Sequence, residues 1–257
     1  MPHYAANKVM AENPNTKRVW LIDAVAWSAA YPATNPLREV HRWFARWVED
    51  LPGLDLAGVK ADADVLAAVR SGADGVIISG SPRDAWNEDP VNLKLCEVVG
   101  ECRDRGIPLL GVCYGHQLLA RALGGVVGRH PEGLELGNTP VRLTPAGRVS
   151  PLLAGFPERF EVLSSHVDAV LEMPPGGELL VEGDFTRNQG FHWGNQLFGV
   201  QFHPESDPGI MQFIWNPRRE TWRAKVAFNL DQAIDGLRPT PQAGSLLRNF
   251  VTQIVWH

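Results

Sequence analysis

The stretch Pro108-Leu109-Leu110-Gly111-Val112-Cys113-Tyr114-Gly115-His116-Gln117 constrains this chain more than any other. An apolar run ends in a cysteine with a glycine two residues away on each side, and a helix-like pattern over Gln117–Leu123 follows at once. The order reads as a buried strand, a sharp turn and a helix, with a thiol at the turn. An α/β enzyme presents a reactive side chain on such a nucleophile elbow. Gly111 and Gly115 have a steric reason to be glycine, because adjoining strands crowd the backbone of so tight a turn.

A second apolar segment, Gly199-Val200-Gln201-Phe202-His203-Pro204-Glu205, lies about ninety residues further on. His203 and Glu205 are two residues apart, so on an extended backbone both side chains leave the same face. Pro204 fixes its own φ and disfavours helix at His203. Glu205 can therefore hold one ring nitrogen of His203 while the other faces a nucleophile. A cysteine ending an apolar run is more often an inert packing residue, and a lone strand-end histidine is more often simply satisfied. Neither bland reading explains why His203 and Glu205 both end a buried strand. Cys113 thus reads as nucleophile, His203 as base and Glu205 as its orienting carboxylate. The N–H of Tyr114 at the helix start, and that of Gly80 at the end of a neighbouring strand, are candidate oxyanion donors. A helix start also favours the thiolate, through its unpaired N–H groups and macrodipole.

The rest of the chain frames this pair. Val19–Val25 and Asp74–Ser79 read as strands. Leu37–Asp50, Ala61–Ser71 and Pro90–Arg105 read as helices, and Gly124-Gly125 stops the elbow helix. Strand and helix in alternation predict a doubly wound α/β sheet, flavodoxin-like and largely parallel. Val126–Arg129, Val141–Thr144, Phe160–Leu163, Glu178–Glu182, Phe191–Trp193 and Leu197–Phe202 then follow as strands with few helices between them, so antiparallel additions are expected. Helices are expected over Gly209–Trp215, Glu220–Leu237 and Ser245–Trp256. The expected organisation is a mobile lead-in over 1–17, one α/β domain over 18–206, and a helical extension over 207–257 packed on it.

Composition excludes some function classes. With 24 Lys and Arg against 29 Asp and Glu, the net charge is −5 and no basic run stands out. A nucleic-acid partner is not expected. The start of the chain lacks the apolar core of a signal peptide, and no segment reaches membrane-spanning length. Three cysteines do not read as a disulfide framework; Cys96 and Cys102, six apart on one helix, face different ways. A cytoplasmic setting with no membrane partner is expected. Neither a metal set nor a nucleotide loop is present, so no cofactor is expected.

The paired segments Gly111-Val112-Cys113-Tyr114-Gly115-His116-Gln117 and Gly199 to Glu205 resemble the class I (triad) glutamine amidotransferases, and the resemblance runs from about Val19 to Glu205. Ile78-Ser79-Gly80-Ser81-Pro82 resembles the family's oxyanion loop, and Ser164-Ser165-His166-Val167-Asp168 its Ser-His-x-Asp segment. The resemblance implies that Cys113 attacks a γ-glutamyl amide to form a thioester, and that Gln117, Ser165 and His166 contact the substrate. The segments 79–90 and 124–137 resemble a stand-alone subgroup that includes plant γ-glutamyl peptidases. The expected activity is therefore γ-glutamyl hydrolysis. The alternatives are a glutaminase subunit delivering ammonia to a separate synthase, and a non-catalytic module that senses a γ-glutamyl ligand. The loop over 26–36 and the extension carry Trp27, Tyr31, Trp215 and Trp222, which either line a leaving-group pocket or pack the extension; packing is expected of Trp222.

Overall fold

The computed structural model describes residues 16–257, so the expected lead-in lies outside the described residues except for its last two positions. Four strands come first: β1 (Lys17–Asp23), β2 (Leu54–Lys60), β3 (Gly75–Ile78) and β4 (Leu109–Val112). The second half adds β5 (Val126–Arg129), β6 (Glu135–Leu143), β7 (Arg159–His166), β8 (Asp168–Glu172), β9 (Gly177–Gly183), β10 (Asn188–Trp193) and β11 (Leu197–Val200). Nine of them form one sheet in the order β2-β1-β3-β4-β11-β10-β9-β6-β7. The strands from β2 to β11 in that order are parallel, and β10, β9, β6 and β7 continue the sheet antiparallel.

Helices α1 (Val40–Ala45), α2 (Val65–Arg70), α3 (Pro90–Arg105) and α4 (Tyr114–Ala122) connect the parallel strands. A short α5 (Pro145–Val149) follows β6. After β11 come α6 (Pro208–Trp215), α7 (Arg219–Arg223), α8 (Leu230–Asp235) and α9 (Pro241–Asn249). The ends of α3 are local chemistry: the Asp89 side chain accepts from the Val91 N–H, Pro90 opens the helix, and Gly106 closes it at φ 67°.

The sheet separates two apolar cores, and strand alternation assigns residues to them. Val19, Leu21, Ile77, Leu110, Val112, Phe198 and Val200 enter one, with Val40, Trp43 and Phe44 of α1 and Leu246, Leu247, Phe250 and Val251 from the C-terminal end. Ile22, Val76, Ile78, Leu109 and Leu197 enter the other, beneath α2, α3 and α4. Strands buried on both faces read as unbroken apolar runs, which is why β3, β4 and β11 were legible. The extension is part of the core: α9 and the wider π-type turn over Phe250–Val255 cover one face of the sheet.

Three expectations change. No strand is expected between Asp50 and Ala61, yet β2 lies there as a half-buried edge paired to β1. Its Asp55, Ala57 and Gly58 are poor strand formers, and pairing along one edge decides the matter. The strand over 126–129 leaves the main sheet and pairs with β8 as a separate ribbon. The expected helix over 220–237 is two helices, because Asn229 caps α8 by accepting from the Gln232 N–H.

Candidate active site

β4 and β11 lie side by side in parallel, with Val200 opposite Val112. That register puts whatever follows β11 beside whatever follows β4, across ninety residues of sequence. Cys113 ends β4 at φ 52° and ψ −102°, and among the described residues it alone combines a side chain with a positive φ. Its N–H donates to the Val200 carbonyl (2.8 Å), and its own carbonyl accepts from the Gln117 N–H (3.0 Å). A non-glycine residue is held there only when its surroundings over-determine the conformation.

Those surroundings are the two glycines. A Cβ on Gly115 would lie 2.3 Å from the Ile78 carbonyl oxygen, and one on Gly111 would lie 2.4 Å from the Gly115 backbone. Helix α4 therefore drops onto β3 and β4 without side chains between, and its first N–H groups, Tyr114 among them, sit at the turn without intrahelical acceptors. The Tyr114 ring is buried and its hydroxyl donates to Asn92 Oδ1 (2.5 Å). Burial pushes that phenol above its usual range, so the ring is an anchor.

His203 N–H donates to the Leu163 carbonyl (2.9 Å), and its Nδ1 lies 2.8 Å from Glu205 Oε1. Burial works against a proton on His203, but the negative charges of Glu205 and Cys113, with the hydrogen bond to Glu205, outweigh it and hold the ring well above the ordinary histidine range. Gly80 completes the group: a Cβ there would sit 3.0 Å from His203 Cε1 and 3.7 Å from Cys113 Cβ. Ser79 fixes the Gly80 loop, its hydroxyl accepting from the Ala24 N–H (2.9 Å) and donating to the Gly80 carbonyl (3.0 Å). Cys113, His203, Glu205, Gly80 and Ser165 all line one cavity.

The structure treats the three expected substrate contacts differently. Ser165 lies in the cavity, its Oγ accepting from Trp215 Nε1 (2.8 Å). His166 does not line it; its ring is spent on Glu135 Oε2 (2.8 Å) and the Asp168 carbonyl (3.0 Å). Gln117 is buried behind the elbow and donates to the Asp168 carbonyl (2.7 Å) and Gln201 Oε1 (3.1 Å). The two side chains brace β8 and the elbow rather than face the opening.

Two residues of this region escaped sequence reasoning. Gln201 places Nε2 3.6 Å from the Cys113 sulfur, and a buried glutamine inside an apolar strand was the available signal. Arg46 donates to the Glu205 carbonyl (2.6 Å) and pairs with Asp207, clamping the turn that carries His203; no sequence signal links positions so far apart. Among the described residues no cluster of His, Cys, Asp and Glu could hold a metal, and no helix is long and apolar enough to cross a membrane.

His116, on the inner face of α4, packs on Phe191 (5.0 Å between rings) and is fully buried. Burial pushes it down to about 3 from an ordinary 6.5. Between those values the unfolded chain binds a proton that the native ring refuses. Stability is therefore fully retained above about pH 6.5 and falls with acid, by up to about 1.4 kcal/mol per pH unit from this residue. Urea unfolding at pH 7 and pH 5 is expected to show a smaller acid loss in His116→Leu than in the parent; equal losses would count against a neutral buried ring.

The family model of "Glutamine amidotransferase class-I" matches residues 44–213. Gamma-glutamyl peptidase 5 of Arabidopsis thaliana is 35% identical over 143 residues, which is 54% of this chain and 56% of that protein. A GMP synthase [glutamine-hydrolyzing] of Aeropyrum pernix is 39% identical over 142 residues, 55% of this chain and 26% of that protein. The chain thus spans little more than half of the first relative and about a quarter of the second. A glutamine amidotransferase structure from Thermotoga maritima superposes with a TM-score of 0.70 over 93% of this chain and 98% of that one, at 22% identity. That likeness shows the fold.

Proposed function

The chain belongs to the class-I glutamine amidotransferase family, and from that premise we propose that it is a cysteine-dependent hydrolase of γ-glutamyl amide bonds. The observation that carries the proposal is Cys113 at a strained elbow, in one cavity with a His203 ring braced by Glu205. The Cys113 thiolate attacks the γ-carbonyl carbon; the C–S bond forms as the carbonyl electron pair moves to oxygen. The N–H groups of Tyr114 and Gly80 receive that oxyanion. As the intermediate collapses, the C–N bond breaks and the leaving nitrogen takes the proton of His203. Water, deprotonated by His203, then adds to the γ-glutamyl thioester; glutamate leaves and the thiolate returns. Glu205 keeps the ring oriented through both halves, and the Arg46 clamp keeps Glu205 in place.

The cavity is walled by Trp27, Tyr31 and Trp43, which favours a leaving group larger than ammonia. Similarity to GMP synthases supports a second reading, a glutaminase that passes ammonia to a separate synthase. Glutamate release from glutamine and from a panel of γ-glutamyl peptides separates the two. The purified chain alone is expected to cleave peptides at least about tenfold faster than glutamine, measured as kcat/KM. Silence toward all of them until a synthase is added would establish the second reading instead.

A further inference from the structure

Glutamine releases only ammonia, and ammonia needs no wall. Yet the cavity at Cys113 has an aromatic wall built to hold its shape. Tyr31 is 5% exposed and its hydroxyl donates to the Ile214 carbonyl (2.7 Å), tying the 26–36 loop to α6. The indole N–H groups of Trp27 and Trp43 donate to the Arg38 and Leu37 carbonyls (3.2 and 3.1 Å). The Trp27 ring lies 5.0 Å from Tyr31 and 5.9 Å from Trp43, and Phe213 backs the first two at 5.7 and 5.5 Å.

Arg218 lines the same cavity. Its guanidinium lies 5.8 Å from the Tyr31 ring centroid and 5.7 Å from that of Trp215, so two cation–π contacts hold it without neutralising it. Its neighbours Arg219 and Arg223 are paired with Asp231, Asp235 and Glu220. Arg218 has no carboxylate partner among the described residues. Among the described residues Glu205 is the one carboxylate that lines the cavity, and it is turned to His203. The cavity therefore combines an aromatic wall of rings set at steep angles to one another with a half-buried cation that has no anionic partner among the described residues. An arginine held in this way matches a carboxylate, whose two oxygens meet its planar fork.

We propose that Arg218 and the Trp27–Tyr31–Trp43 wall form a leaving-group subsite for an amine that carries a carboxylate and an aromatic ring. The substrate class is then the γ-glutamyl dipeptides of aromatic α-amino acids. This rests on the γ-glutamyl hydrolase reading and narrows it. Neither half of the subsite touches the reacting atoms; together they hold the scissile amide against Cys113.

The test compares four substrates on the full chain: γ-glutamylphenylalanine, its carboxylate-free analogue γ-glutamyl-2-phenylethylamide, γ-glutamylglycine and glutamine. The expected kcat/KM for the first exceeds that for the second and third by about 10- to 100-fold each, the size of a charge-assisted contact or a buried ring. In Arg218→Leu the ratio of the first to the second is expected to fall to within about threefold, with Arg218→Lys intermediate. Ratios taken within one variant are insensitive to its folded fraction. An unchanged ratio in Arg218→Leu, or an equal loss on all four substrates (which would assign Arg218 to the glutamyl end), overturns the subsite while hydrolysis stands. Glutamate from glutamine alone, or from none of the four, overturns the hydrolase reading and the subsite with it.

Discussion

Replacing Cys113 by serine is expected to lower glutamate release from every γ-glutamyl substrate by about 10⁴-fold or more, with the unfolding midpoint unchanged. The size follows from the chemistry. A serine hydroxyl at this turn stays protonated, so neither the imidazolium–thiolate pair nor the thioester can form. The fold should tolerate the change, because serine is smaller than cysteine and inherits the same φ of 52°. The hydrogen bonds that pin the turn are backbone ones, from the Cys113 N–H to Val200 and from the Gln117 N–H to Cys113. A thiol-directed γ-glutamyl analogue gives a parallel check. Burial pushes Cys102 up to about 12 and also raises Cys96, so neither competes as a thiolate near neutral pH. One equivalent of label is expected on the parent protein and none on Cys113→Ser. A serine variant retaining a tenth of the parent rate would remove Cys113 from the mechanism.

Gly115→Ala is expected to cost at least about 3 kcal/mol of stability, or to prevent folding altogether. The added methyl would lie 2.3 Å from the Ile78 carbonyl oxygen and 3.0 Å from the Ile78 carbonyl carbon and Cβ. These are largely backbone atoms of a central strand, so no rotamer change relieves the clash. Moving α4 away would open both the packing on β3 and the turn that holds Cys113. Gly100→Ala is the matched control: it lies in α3 with nothing within 4 Å of the added carbon. There the substitution should be neutral or stabilising by up to about 1 kcal/mol, as alanine favours helix. Urea unfolding of both variants makes the comparison; a Gly115→Ala protein within about 1 kcal/mol of the parent would show that the elbow has room to spare.

Legibility followed the range of the interactions. Strands β3, β4 and β11 were readable because burial on both faces leaves unbroken apolar runs, and the elbow because its glycines and cysteine are neighbours in sequence. The same holds for His203 and Glu205, whose spacing of two sets their common face. β2 escaped notice because an edge strand needs only one partner and tolerates Asp55 and Gly58. The ribbon of β5 and β8 was hidden because only a pairing across some forty residues tells it from the main sheet.

By itself, then, the sequence determined the alternating sheet, the turn that bears the thiol and the pairing of a histidine with a carboxylate. All of these are set by steric and periodic rules acting over a few residues. The tertiary structure decided what surrounds them. It turned Gln117 and His166 toward the interior, closed the Arg46 clamp on Glu205 from 159 residues away, and set Tyr31 against Ile214 across 183. It also left Arg218 facing the thiol's cavity without a carboxylate partner among the described residues. Such contacts depend on which parallel strands lie side by side, and no local pattern of residues records that order.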